Sequence, residues 1–360
     1  MTLDILRYRL HNQFLSQTKY TRPGQIVEQL GAVQSQDYAG AKWGLAQRLK
    51  DPTTDAAIDK AFNEGKILRT HVMRPTWHFV APADIRWLLM LTGPRVHAGN
   101  AFMYRKLELD KDILKKSYKV LEKVLQDKKH LTRAELGAAF EKAGIAAEGL
   151  RLGYFMMSAE LDGVICSGGR QGKQFTYALL EERAPQVKPL KRDEALAELV
   201  RRYLTTRGPA TLRDFTWWSG LTLADAKKGI EMVKDQFANE VLDGQTYWFA
   251  DSVSPVREKS PTAHLLPNYD EYFIGFKDRS AIGEVAKQAG VKSDDPALLA
   301  HVIIMNGQIV GGWRRTITKN AVSLERKLFT DLTRSQERAL AQEADRYSEF
   351  LQLPVEMMEA

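Results

Sequence analysis

The chain has 360 residues, 44% of them hydrophobic, with Lys+Arg 52 against Asp+Glu 45 and a net charge of +7. That is length for two or more domains with cores of their own, in an ordinary globular composition. No apolar run reaches the roughly 18 residues needed to span a membrane, and the one cysteine, Cys166, excludes an intrachain disulfide and suits a reducing compartment.

The basic excess permits a polyanionic partner without demanding one. It is unevenly placed: residues 105–133 hold ten Lys/Arg against five acids, and residues 183–213 hold eight against three. A charged face is also what a solvated helix shows. Met1-Thr2-Leu3-Asp4 has no basic region followed by an apolar one, so the expected location is cytoplasmic. His71 and His78 are separated by Pro75, and no His/Cys spacing suits a metal, so neither metal nor cofactor is expected.

In chain order, Pro23 to Leu30 begins a helix, Lys42 to Leu49 forms a second, and Thr54 caps a third running to Ile67. Residues 70–80 then read as a strand pair or wing. The pattern is clearest further on. Thr132 caps a helix with Leu136, Phe140 and Ala143 on its apolar face, which Gly144 stops. A second helix runs from about Leu150 to Leu161. Strands at 164–167 and 174–179 then flank a glycine-rich basic loop, Gly168 to Lys173. Helix, turn, helix and hairpin is the winged-helix pattern.

The pattern returns at Asp193 to Leu204, in a helix begun by Ala210-Thr211, in a third capped by Thr222, and in a hairpin turning on Asp243-Gly244. Ser254-Pro255 reads as a linker. Beyond it, residues 301–305 and 308–315 form a hairpin about Asn306-Gly307. A third strand is expected at 321–324 and a closing helix from Ser335 to Phe350. The fold expected is α+β and helix-rich. Three tandem winged-helix units (1–95, 96–186, 187–253) precede a small antiparallel β domain with a terminal helix (254–360).

Within the first unit, Gln34-Ser35-Gln36 sets two amides about one small residue. In an extended segment positions i and i+2 share a side, so the pair can hold one water by donating and accepting at once. The same residues can equally satisfy backbone groups or cap the next helix. Ser35 has no His or Asp at nucleophile spacing. Trp217-Trp218 reads as core and helix-packing surface. Asp270-Glu271 reads as half of an ion-pair network with Arg279 or with Arg314-Arg315. Gly168-Gly169 with Gly172 sits in a hairpin, so it is no dinucleotide fingerprint.

Leu30-Gly31-Ala32-Val33-Gln34-Ser35-Gln36-Asp37, Arg74-Pro75-Thr76-Trp77-His78-Phe79-Val80, Leu265-Leu266-Pro267-Asn268-Tyr269-Asp270-Glu271-Tyr272 and Gly311-Gly312-Trp313-Arg314-Arg315, in that order, resemble the winged-helix DNA glycosylases of the AlkZ type. The resemblance implies tandem winged helices and a C-terminal β-rich domain forming a concave body on double-stranded DNA. It also implies metal-free excision of N7-alkylated purines and unhooking of interstrand crosslinks. Its catalytic element is a pair of polar residues flanking one residue. Here those are Gln34 and Gln36, nearer the two-glutamine branch, with Ser35 a polar departure at a position usually apolar or small. On the same reading Thr70, Arg74 and His78 approach the lesion strand, Arg170 and Lys173 meet phosphate, Arg314 and Arg315 complete the DNA-contacting set, and the protein acts as a monomer. The alternative is a tandem winged-helix transcription regulator without base-release activity.

Overall fold

The fold is that of a computed structural model describing residues 3–250, 261–292 and 301–359. The linker expected at Ser254-Pro255 lies outside the described residues. No helix among those described is long and apolar enough to cross a membrane.

The first segment holds α1 (Ile5–Asn12), α2 (Pro23–Leu30), β1 (Val33–Gln34), α3 (Tyr38–Ala46), α4 (Asp55–Asn63), β2 (Leu68–Val72) and β3 (Arg74–Val80). The bounds of α3 and the end of α4 differ from those expected, and two of the differences have a local cause. Asp37 accepts a hydrogen bond from the Gly40 amide (3.0 Å), so α3 begins at Tyr38, ahead of Lys42. Gly65, at φ +73°, follows the end of α4 well before Ile67. The three strands form a sheet in the order β1-β3-β2. Its register sets Gln34 opposite His78, and His78 opposite Thr70.

The second segment holds α5 (Ile85–Lys106), α6 (Lys111–Leu125), β4 (Leu131–Thr132), α7 (Arg133–Lys142), α8 (Gly149–Leu161), β5 (Ile165–Ser167), β6 (Thr176–Leu179) and the short α9 (Leu180–Arg183). Of these helices, α6 lies where the sequence offered only a basic run, and α5 lies where no element was expected. Asp110 caps α6 by accepting from the Asp112 and Ile113 amides (both 2.9 Å). The sheet order is β4-β6-β5. Cys166 is buried and free, and burial pushes its thiol up to about 12.

The third segment holds α10 (Arg192–Arg207), α11 (Leu212–Ser219), α12 (Leu223–Val233), β7 (Ala238–Leu242) and β8 (Gln245–Phe249). The contact of α10 with α12 needs Gly229, since a β-carbon there would lie 2.5 Å from Val200 Cγ2. The last segment holds β9 (Ala263–Leu266), α13 (Glu271–Ile274), α14 (Glu284–Gln288), β10 (His301–Met305), β11 (Gln308–Ile317), β12 (Val322–Leu328), α15 (Arg334–Leu351) and β13 (Val355–Glu359). Its sheet runs β13-β12-β11-β10-β9. The expected antiparallel hairpins are there, but β13 returns from α15 to pair parallel with β12, so the sheet is mixed.

The cores cross these segments. One cluster joins Ile26, Leu30, Trp43, Phe62 and Phe79 to Leu265, Ile303, Trp313, Leu340, Tyr347 and Phe350. Another joins Leu68, Val72 and Leu88 to Leu196, Tyr203, Phe215, Trp218 and Ile230. A third lies within residues 109–177. The first segment is thus built into both the third and the last.

Candidate functional site

Gln34 ends β1 and Gln36 lies two residues on, just before the Asp37 cap of α3, so a strand and a helix hold the loop at both ends. Buried groups hold its backbone. The Gln34 amide donates to Glu271 Oε1 (2.8 Å). The Ser35 amide donates to the Trp77 carbonyl on β3 (2.8 Å). The Ser35 carbonyl accepts from Arg69 Nε (3.2 Å) and Nη2 (3.1 Å). Glu271 is anchored in turn: its Oε2 accepts from Arg207 Nη2 (2.6 Å) and Trp218 Nε1 (2.9 Å). Arg207 also donates to the Leu30 and Ala32 carbonyls (2.9 and 3.2 Å), gripping the chain leading into β1.

The glutamine side chains face different surroundings. Gln34 is 8% exposed, whereas Gln36 lies open to solvent. Gln34 Oε1 accepts from Arg74 Nη2 (3.0 Å) and Gln36 Oε1 from the Trp77 amide (3.4 Å). Neither Nε2 donates to a described residue. Each carboxamide oxygen also keeps a second lone pair, so both side chains retain donor and acceptor capacity. Amides that do not titrate can position a water and set dipoles against developing charge.

Thr70, His78 and Gln34 form one row across the sheet, and opposed residues of an antiparallel pair share a face. Thr70 and His78 are fully buried, and Thr70 Oγ1 and His78 Nε2 have no hydrogen-bond partner among the described residues. His78 Nδ1 lies 2.9 Å from the Thr76 carbonyl. Burial, with the Arg74 charge adding to it, drives the His78 pKa down to about 3, so the ring is neutral. Of these wing residues, Arg74 keeps some exposed surface. Burial also lowers its pKa, and the Glu271 charge opposes that effect.

The remaining basic residues differ in freedom. Arg170 is paired with Asp59 (3.4 Å) and donates to the Lys173 carbonyl (3.1 Å), tying the glycine-rich loop to α4. Lys173 and Arg314 are exposed, with no ion pair among the described residues. Arg315 donates to the Tyr347 hydroxyl (2.6 Å) and lies 3.7 Å from Asp37, at the foot of the glutamine loop.

The ion-pair network at Asp270-Glu271 has other partners than those expected. Asp270 takes a two-pronged bond from Arg48 (both 2.8 Å), and Glu271 takes Arg207. Arg279 instead lies over the Phe273 ring (4.2 Å). Trp218 is core, as expected, but Trp217 is 43% exposed. Sequence reasoning missed Arg69, Arg207 and Trp77. For Arg69 the available signal was a guanidinium inside a short strand bounded by Leu68 and Val72. No group of three or more His, Cys, Asp or Glu among the described residues could hold a metal.

A family match over most of the chain places it among the DNA glycosylases, a class of hydrolases acting on DNA. The chain belongs to the AlkZ-like family, described as DNA glycosylase AlkZ-like, which it matches over residues 27–350. It is 23% identical over 330 residues, 86% of each chain, to an interstrand DNA cross-link repair glycosylase of Streptomyces sahachiroi. The solved structure of the Streptomyces sahachiroi DNA glycosylase AlkZ superposes with a TM-score of 0.76 at 20% identity, covering 99% of this chain and 98% of that one.

Proposed function

We propose that this glycosylase releases cationic N7-alkylated purines from duplex DNA, using Gln34 and Gln36, and that it extends to interstrand crosslinks. It works as a monomer in the cytoplasm without metal or cofactor. Each of its first three segments acts as a winged helix: residues 1–95 carry the glutamine pair, 96–186 and 187–253 grip the duplex, and 254–360 complete the body. The observation that carries this reading is the clamped loop. Its two backbone-fixed glutamines each have an Nε2 without a hydrogen-bond partner among the described residues.

The chemistry asks little more. An N7-alkylguanine is already positively charged, so when the C1′–N9 bond breaks the electron pair neutralises the departing base, and no acid must protonate it. Water adds to C1′, leaving an abasic sugar and giving its proton to solvent. The amides orient that water and stabilise charge developing on the sugar. Arg74 fixes the Gln34 carboxamide, with Glu271 offsetting its charge beside a cationic substrate. His78 and Thr70 continue the row beside Gln34 as neutral neighbours, while Lys173, Arg314 and the less free Arg170 and Arg315 serve the phosphates.

Release of 7-methylguanine from a duplex tests the reading. Gln34→Ala and Gln36→Ala are each expected to slow single-turnover release by about 100-fold or more. Release by both variants at the parent rate would remove the glutamines from the mechanism.

A further inference from the structure

We propose that Arg69 is a positioning residue for the glutamine pair, its guanidinium fastening the Ser35 carbonyl between Gln34 and Gln36. The proposal rests on the function proposed above. Arg69 sits in β2 with 7% of its surface exposed, between the fully buried Leu68 and Thr70. Two of its nitrogens converge on one oxygen, Ser35 O, at 3.2 and 3.1 Å. Its charged plane lies between two rings, 4.4 Å from the Trp77 centroid and 4.5 Å from that of Phe175. No carboxylate pairs with it among the described residues. Burial lowers its pKa only to about 10, so it is cationic at neutral pH.

The Glu160 charge reaches Arg69 without forming an ion pair, and burying such a cation to satisfy one peptide carbonyl is a poor way to gain stability, since apolar replacement of buried charge is often neutral or stabilising. The arrangement makes sense if the orientation of that peptide matters. Ser35 is then held on both sides, its amide by Trp77 O and its carbonyl by Arg69. Rotation of the 35–36 peptide plane would swing Gln36 away from Gln34. The clamp also reaches across the chain: Phe175 comes from the second segment, and Arg170 lies 5.3 Å over the same ring. The Arg69 amide donates to Ser167 Oγ (2.8 Å), adding a second tie to that segment. The hairpin of the second segment is therefore part of what holds the glutamine loop.

The test uses the full chain with a 7-methylguanine duplex, measuring the single-turnover rate constant and, separately, the Kd. For Arg69→Ala the rate constant is expected to fall by about 100-fold, the scale of an ångström-sized misplacement of catalytic groups, with Kd unchanged. Millimolar guanidinium, which fits between the two rings, should restore part of the rate, and ammonium at equal ionic strength should not. Arg69→Lys keeps the charge without the forked donor and should fall between. If Arg69→Ala does not fold, Arg69→Lys and Phe175→Leu carry the test, both slower than parent at unchanged Kd. Parent rates in whichever of these variants fold, or a loss of rate matched by an equal loss of affinity without guanidinium rescue, overturn the proposal. A Gln34→Ala/Gln36→Ala double variant is run alongside. If it releases base at the parent rate the glutamine reading fails; if it is inactive while the Arg69 variants match the parent, only the positioning role fails.

Discussion

Glu271 does two things with its two oxygens. One accepts from the Gln34 amide; the other neutralises Arg207, a guanidinium with no exposed surface. Glutamines at i and i+2 were visible in the sequence because their spacing is local. Their supports come from residues 69, 77, 207 and 271, and no local pattern joins positions so far apart. Burial of titratable groups is equally invisible in a string of letters, yet it fixes a pH response. His78 and His264 are almost wholly buried, and burial drives each to about 3, helped at His264 by Arg346 and Arg48. The unfolded chain binds a proton on each near pH 6.5, so between there and about pH 3 unfolding takes up protons and stability falls with pH. Above that window both rings are neutral in either state and contribute no slope. From pH 8 to pH 5 the expected loss is about 2 kcal/mol per histidine. His264, with neither ring nitrogen bonded among the described residues, offers the check. Urea unfolding of His264→Leu should match or exceed the parent at pH 7 and lose less by pH 5. An equal fall in both proteins would rule out His264 as a source of the slope.

Helices with an explicit start were legible. Thr132, Thr211 and Thr222 each head a capping box, bonding to the residue three ahead, whereas the closing helix, expected from Ser335, starts at Arg334 behind a box headed by Thr333. The long α5 was not legible, for two reasons. It buries residues on several sides (Ile85, Trp87, Leu88, Leu89, Leu91, Thr92), so no single apolar stripe stands out, and it carries Pro94 inside. Nor could the sequence show that Asp214 does more than close a cap. Its Oδ2 accepts from the Thr211 amide and hydroxyl (both 2.9 Å), while Oδ1 accepts from the amides of Lys277 and Asp278 (2.9 and 3.0 Å). Thr211→Ala removes the cap alone and should cost about 1 kcal/mol. Asp214→Ala keeps the Thr211 hydroxyl on the residue 214 amide but removes the acceptor of the Thr211 amide and hydroxyl, and it leaves two amides of the last segment unpaired, so its loss should be larger by roughly 1–3 kcal/mol. Urea midpoints at constant slope measure both. Equal losses would mean that Asp214 does not couple α11 to the last segment.

At the scale of the whole molecule, the repeating helix-and-hairpin pattern could be read from periodicity and turns. The way the segments interlock could not, because apolar faces do not name their partners. Trp43 shows the result. It has no exposed surface, its Nε1 donates to the Leu265 carbonyl (2.7 Å), and its ring meets Tyr347 at 4.9 Å and Phe350 at 5.2 Å. Each large apolar side chain so buried contributes about 1.5–3 kcal/mol. Several are shared between the first and last segments, so their sum is comparable with the whole stability of a typical domain, about 5–15 kcal/mol. A chain ending at residue 250 would also lose Asp270 from Arg48 and Glu271 from Arg207, leaving two buried guanidiniums uncompensated. It would lose the acceptor that fixes the Gln34 amide as well. Such a chain should give no cooperative thermal transition, bind a hydrophobic dye as loosely packed states do, and release no 7-methylguanine, although it keeps both glutamines and every helix of the first three segments. Supplying residues 251–360 as a separate chain should recover part of the transition and the activity together. A truncated chain that melts cooperatively and releases base unaided would show that the last segment is dispensable to the site, and that the buried charges of residues 48 and 207 are tolerated without their acids.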